Sequence, residues 1–175
     1  NRDGRERRLF FAQREAVETI IFLKEARVDF LQGVSIPLDN PIDTALKAFI
    51  RYACKMATGS GKTTVMGMLA AWSILNKVNS RSDSRFSDVV LIVCPNVTIK
   101  GRLQELNPHN GEASLYRTRD LVPSNLMDKL RQGKVLVTNW HIFEKRSPNT
   151  SGNDPAKVVK VGVPTITTET IKIAA

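Results

Sequence analysis

Two kinds of apolar pattern run along the chain, one spaced for helices and one continuous. Val17, Ile20, Ile21 and Lys24 recur at helical spacing through residues 12–25, with Glu15 and Glu18 on the other side, so a helix is predicted there. Residues 62–77 are apolar almost all round, through Val65, Met66, Leu69, Ala70, Trp72, Ile74 and Leu75. A helix of that kind is buried on most of its faces. Val89-Val-Leu-Ile-Val-Cys94 is six apolar residues in a row between turn residues, which predicts a parallel strand covered on both faces. Lys134-Val-Leu-Val-Thr138 repeats the pattern, and residues 50–56 (Ile-Arg-Tyr-Ala-Cys-Lys-Met) suit a further strand.

Turn residues divide these segments. Gly33, Pro37, Asn40 and Pro41 make 32–45 mostly loop, and 79–88 is a serine-rich loop. Pro95-Asn96 ends the 89–94 strand, a short helix is expected over 97–106, and 107–111 reads as a turn. Ser124 is placed to cap a helix over 125–132 that Gly133 ends. Residues 146–157 read as loop, 158–175 alternate too weakly to place, and no internal repeat occurs. Strand–loop–helix units at 50–77, 89–106 and 134–145 predict an α/β fold with a parallel sheet. Ligands of such sheets sit at the C-terminal ends of the strands.

Composition adds two bounds. Of 175 residues, 42% are hydrophobic and 25% charged, the balance of an ordinary globular chain. The longest near-apolar stretch, Met66 to Leu75, is far short of the roughly 20 residues that span a bilayer. No basic-then-apolar leader opens the chain, so a cytoplasmic protein with reduced Cys54 and Cys94 is expected. Beginning at Asn1 and stopping at Ala175, it reads as a portion of something longer. Lys and Arg number 26 against 17 Asp and Glu, a net charge of +9 and a pI near 9.9. Such an excess favours polyanionic partners, although here it is diffuse, with one dense cluster at Arg2, Arg5, Arg7 and Arg8.

The chemistry concentrates in Met56-Ala57-Thr58-Gly59-Ser60-Gly61-Lys62-Thr63. The general phosphate-loop pattern is G-x-x-x-x-G-K-[ST], and Gly61-Lys62-Thr63 match it while Met56 replaces the first glycine. Gly59 and Gly61 let the backbone turn tightly, so that the N–H groups of Thr58 through Thr64 gather toward one point. Those groups, with the positive end of the 62–77 helix, favour bound phosphates. Lys62 supplies a point charge for the β- and γ-phosphates, and the Thr63 hydroxyl is a natural Mg2+ ligand. ATP with Mg2+ is the expected ligand pair. The bland alternative, a chance glycine turn, is weakened by its setting between an expected strand and a buried helix.

The Met-Ala-Thr-Gly-Ser-Gly-Lys-Thr form resembles motif I of the superfamily 2 helicases and translocases. Within that group it is most similar to the motor subunits of restriction enzymes. Phe10-Phe11-Ala12-Gln13-Arg14-Glu15-Ala16 resembles the Q motif that precedes motif I there. The resemblance implies that the Gln13 amide, with a donor and an acceptor, pairs with the N6 and N7 edge of adenine, and that Phe10 or Phe11 stacks on the ring. Otherwise Gln13 is a first-turn helix residue and both phenylalanines are core. Cys94-Pro-Asn-Val-Thr-Ile-Lys100 stands in the place of motif Ia and Thr138-Asn-Trp-His141 in that of motif Ib. These loops grip a nucleic-acid backbone in the superfamily, which points to Asn96, Thr98, Lys100, Thr138 and Asn139 as phosphate contacts. The alternatives are that Asn96 and Thr98 are turn and capping residues and that Trp140 is core, and for Trp140 packing is the favoured expectation. The sequence singles out no carboxylate to pair with His141, so a catalytic-base role is not expected of it.

Together the stretches 10–25, 53–78 and 89–145 resemble the N-terminal part of the Res subunit of type III restriction enzymes. The resemblance implies an incomplete RecA-like P-loop nucleotide-binding domain. It also implies an ATPase that moves on double-stranded DNA, a methyltransferase partner, a nuclease domain and no membrane. The chain departs from the family in carrying no D-E-x-[HD] motif II after an apolar strand; Asp120, Asp128 and Glu144 are the nearest acids. The second lobe and its arginine finger are not found either, and such a finger alone accounts for about 10³–10⁵ in rate. These 175 residues are therefore expected to bind nucleotide and hardly turn it over. They are also expected to carry the flanks of a sheet without its centre. Two other readings compete: a nucleotide-binding module or remnant without motor activity, and a DNA-binding protein held by charge alone.

Overall fold

The computed structural model describes residues 8–35 and 50–143. Arg2, Arg5 and Arg7, most of the 32–45 loop, Glu144 and everything expected of 146–175 lie outside the described residues. Helix α1 is Phe11–Glu25 and helix α2 is Lys62–Asn79, both at the expected places. Strand β1 is Val89–Cys94 and strand β2 is Lys134–Asn139. They pair in parallel, from Val89 opposite Lys134 to Cys94 opposite Asn139. The crossover between them runs through helices α3 (Val97–Leu103), α4 (Leu115–Thr118) and α5 (Met127–Leu130), joined by 3-10 turns.

Local chemistry sets most of these boundaries. Asn96 caps α3, its side-chain oxygen accepting the Ile99 N–H at 2.9 Å. Asn107 does the same for His109 at 3.0 Å, ahead of Pro108. The expected turn at 107–111 is accordingly a longer 3-10 run, Pro108–Ala113, kinked at Gly111. Ser124 does not cap a helix; its hydroxyl takes a 2.7 Å hydrogen bond from Arg117. The helix expected over 125–132 shortens to the 3-10 turn Ser124–Leu126 followed by α5. Gly133 then lets β2 begin. A Cβ there would run into Ile74 and stand 2.8 Å from the Asp88 carbonyl, which instead accepts the Lys134 N–H at 2.8 Å.

The core lies where α2, the sheet and the crossover meet. Ala70 and Ile74 of α2, Ile92 of β1, and Leu106, Tyr116 and Leu130 of the crossover are buried together. Except at its two ends, no residue of α2 is exposed, in keeping with its all-round apolar pattern. Tyr116 is fully enclosed, and its hydroxyl donates to the Leu106 carbonyl at 2.9 Å. Burial holds that phenol well above its ordinary pKa.

Two expectations about the sheet need correction. Strand β1 is covered on one face only: Ile92 and Cys94 are buried while Leu91 and Val93 are 44% and 47% exposed. Side chains alternate across a strand, and the described helices meet only the Ile92–Cys94 face. The segment 50–56 is not a strand. Ile50 makes an isolated bridge and 51–57 has no regular structure. A strand exists through its ladder, and neither edge of the two-stranded sheet pairs with this segment. What forms is thus a parallel sheet lacking the strand that would lead into the glycine loop, in line with the expected incompleteness.

Candidate nucleotide-binding loop

The loop between 57 and α2 is built by two glycines in left-handed conformation, Gly59 at φ 82° and Gly61 at φ 80°. Non-glycine residues pay roughly 1–2 kcal/mol there, which explains the residue choice. The turn is held by Ser60, whose N–H and hydroxyl both reach the Ala57 carbonyl, at 3.3 and 2.7 Å. Gly61 is the N-cap of α2, and its carbonyl takes the Thr64 N–H at 2.9 Å. No acidic side chain sits in the first turn of α2, so the positive end of an 18-residue helix faces the loop uncompensated. Thr58, Gly59 and Lys62 are exposed, Ser60 and Thr63 half-buried, and Thr64 buried.

Lys62 reaches back over this loop. Its ammonium donates to the carbonyls of Met56 at 3.2 Å and Ala57 at 2.9 Å. The cation therefore stands on the loop that leads into α2, where an anionic ligand would exchange for the two carbonyls. Thr63, next along and half-buried, is placed to offer a hydroxyl. Among the described residues no group of three or more His, Cys, Asp or Glu side chains could hold a metal ion. The donor set suits Mg2+ nonetheless, because that ion commonly takes one or two protein oxygens and completes its shell with phosphate and water.

Gln13 is brought directly onto the loop. It is only 5% exposed, its Nε2 donates to the Ser60 carbonyl at 3.1 Å, and its Oε1 accepts the Phe10 N–H at 2.9 Å. Any Cβ at residue 61 would collide with that Nε2. The second amide N–H and the second lone pair of Oε1 remain as capacity for a base edge. Phe10 and Phe11 beside it are exposed, so neither belongs to the core. Helix α1 is tied to α2 a second time at its far end, where Trp72 Nε1 donates to Glu25 at 2.6 Å.

The second group of expected residues gathers at the C-terminal ends of the strands. Cys94 Sγ lies 3.1 Å from the Thr138 carbonyl and 3.4 Å from that of Asn96, joining the two loops. Asn96 spends its side-chain oxygen on the α3 cap. Asn139 is buried, its oxygen accepting the His141 N–H at 3.1 Å. Thr138 and Lys100 are half-buried and Thr98 is exposed. Trp140 does not pack as expected: it is 44% exposed, with its indole N–H on the Pro95 carbonyl at 3.1 Å. The cause is the parallel register, which ends β1 and β2 level at Cys94 and Asn139 and sets the next residues of each side by side beyond the covered layer. That pairing was available in the sequence as two apolar runs each followed by a polar loop, but its consequence for Trp140 was not. Of the acids considered for motif II, Asp128 pairs with Arg131 at 3.0 Å, and Asp120 follows α4 in the crossover at a positive φ of 50°.

No helix among the described residues is long and apolar enough to cross a membrane. Neither the curated proteins nor the solved structures contain a match to the chain. The family model for the type III restriction enzyme res subunit matches residues 7–159, a span that takes in Gln13, the glycine loop and both strand-end loops. With its RecA-like P-loop fold, the chain belongs to the type III restriction enzyme res subunit family, the helicase-like ATPase motors of restriction systems.

Proposed function

We propose that the chain is the ATP-binding portion of a DNA-dependent ATPase, one that couples hydrolysis to movement on double-stranded DNA in a restriction-modification system. A methyltransferase subunit and a nuclease domain complete that system. The reading rests on one observation above the rest, the Lys62 ammonium held on carbonyls of its own glycine loop in front of an uncompensated helix end. Lys62 and the loop N–H groups hold the phosphates, and Thr63 offers an oxygen to Mg2+. Thr63 would hold the ion, which would supply positive charge to offset that developing on the phosphates. Thr58, Gly59, Ser60, Gly61 and Thr64 shape the cradle, and Gln13 meets the adenine edge with its remaining donor and acceptor. Asn96, Thr98, Lys100, Thr138 and Asn139 border the DNA backbone. Free Cys54 and Cys94 suit a reducing cytoplasm.

A second reading is a nucleotide-binding module without hydrolysis. Binding and turnover measured together separate the two. ATP·Mg2+ is titrated into the chain, with and without duplex DNA, beside Lys62→Ala. The expected result is binding by the parent, weakened at least tenfold in the variant, since hydrogen bonds to charged groups contribute about 1.5–3 kcal/mol. Equal affinity in both proteins overturns the nucleotide assignment. DNA-stimulated turnover by this chain would show that a catalytic acid acts from residues assigned no such role here.

A further inference from the structure

We propose that Glu25 and Trp72 are positioning residues for the nucleotide base: their hydrogen bond fixes the far end of α1 and so aims the Gln13 amide at the base edge. This rests on the base reading of Gln13 above and adds what holds that residue in place. Three observations carry it. Helix α1 is thinly seated: of its 15 residues only Gln13 and Val17 are buried, both in its first half. Beyond Val17 an open cavity of about 330 Å³ lies where the two helices would otherwise pack, lined by Ile20 and Lys24 of α1 and by Trp72 and Ser73 of α2 among others. At that end of α1 the Trp72 indole N–H donates to the Glu25 carboxylate at 2.6 Å.

The residue at position 25 is itself informative. A carboxylate on the last residue of a helix opposes the macrodipole, so Glu25 is locally out of place and gains from a donor brought by another element. A hydrogen bond to an ionised acceptor is shorter and stronger than a neutral one, and this one is short. Leverage does the rest, because about 18 Å of helix separates Gln13 from Glu25. The Gln13 amide is planar and already shared between the Ser60 carbonyl and the Phe10 N–H, so the axis of α1 sets where its remaining N–H and lone pair point. With the far end released, α1 tilts over the cavity and that free side turns from the base. The loop, built on Gly59, Gly61 and Lys62, keeps what it offers the phosphates.

The chain is titrated with ATP and with inorganic triphosphate, each with Mg2+; the second ligand has no base, so the ratio of the two affinities reads the base contact. Gln13→Ala should lower that ratio about tenfold, and Glu25→Ala and Trp72→Phe should each lower it about fivefold, through ATP alone. Glu25→Gln keeps an acceptor oxygen and should stay within about twofold of the parent. In the double variant of Glu25→Ala and Trp72→Phe the losses should not add, since both cut one bond. Equal weakening of ATP and triphosphate overturns the proposal, as the mark of residues that only support the fold. So does an unchanged ratio in Glu25→Ala, or additive losses. Glu25 is exposed, so its two variants decide even if Trp72→Phe fails to fold. An unchanged ratio in Gln13→Ala removes the base reading itself, a result distinct from a ratio that Gln13 sets and Glu25 does not.

Discussion

The glycine loop and the sheet crossover are built in opposite ways. The loop is local: its shape follows from two left-handed glycines, one serine folded onto Ala57 and the start of α2. It stays largely exposed, preceded by irregular backbone, and among the described residues Gln13 supplies its long-range hydrogen bond. The crossover is collective: none of its helices exceeds seven residues, and such pieces are too short to persist alone. They hold because Leu106, Leu115, Tyr116 and Leu130 enter one core with Ile74 of α2. Helix α2 belongs to both, its first turn bearing the loop and its middle filling the core. Chemistry and stability are thus carried by different stretches of one helix, and changes in the two should have separable effects.

The largest effect should come from the core. Ile74→Ala removes a fully buried side chain and should cost about 2–5 kcal/mol in unfolding free energy by denaturant titration. ATP affinity of the molecules that remain folded should be unchanged; a parallel loss of affinity would break the separation. Gly61→Ala tests the other half. The left-handed φ of 80° and the collision with Gln13 should lower ATP affinity at least tenfold and cost about 1–2 kcal/mol locally. The core melting transition should move little, as calorimetry can check.

Tyr116→Phe is expected to destabilise by about 1–3 kcal/mol, because the buried Leu106 carbonyl loses its donor. It also carries a pH signature. A phenol whose folded pKa is raised contributes stability that is whole below its unfolded value near 10 and is lost as pH rises through the folded value. Stability of the parent should fall above about pH 10, and Tyr116→Phe should remove that part of the slope. The smallest effect is at the surface. Arg85 hydrogen bonds hold the Asp83 carboxyl at about 2 rather than 3.8. A depressed carboxylate contributes above its unfolded value and loses that contribution as pH falls from about 4 toward 2. Asp83→Asn should flatten acid unfolding in that window only slightly, since water and salt screen the pair.

The elements legible in the sequence were those with a strong local signature. The 3.6-residue spacing of α1, the unbroken apolar runs of β1 and β2 and the Gly59–Gly61 turn all stand where the pattern put them. The misreadings share a cause. Residues 50–56 have strand composition, yet a strand also needs a neighbour, which no local pattern supplies. Leu91 and Val93 fit a strand buried on both faces, but their exposure depends on which helices cross which side. Ser124 has capping chemistry, but Arg117 reaches it first. Trp140 has the composition of a core residue and stands beyond the end of the covered layer.

The sequence by itself determined the phosphate chemistry of the loop, because glycine dihedrals, a lysine and a helix start act over fewer than ten residues. It also determined the two strands, as apolar runs of six residues in β1 and three in β2 bounded by turn residues. Tertiary structure alone decided that Gln13 closes on Ser60, 47 residues away, and that the two strand-end loops lock through Cys94 and the Pro95–Trp140 bond. Those contacts depend on how the helices cross and how the strands register, and geometry between distant segments is settled only when the core that joins them has formed.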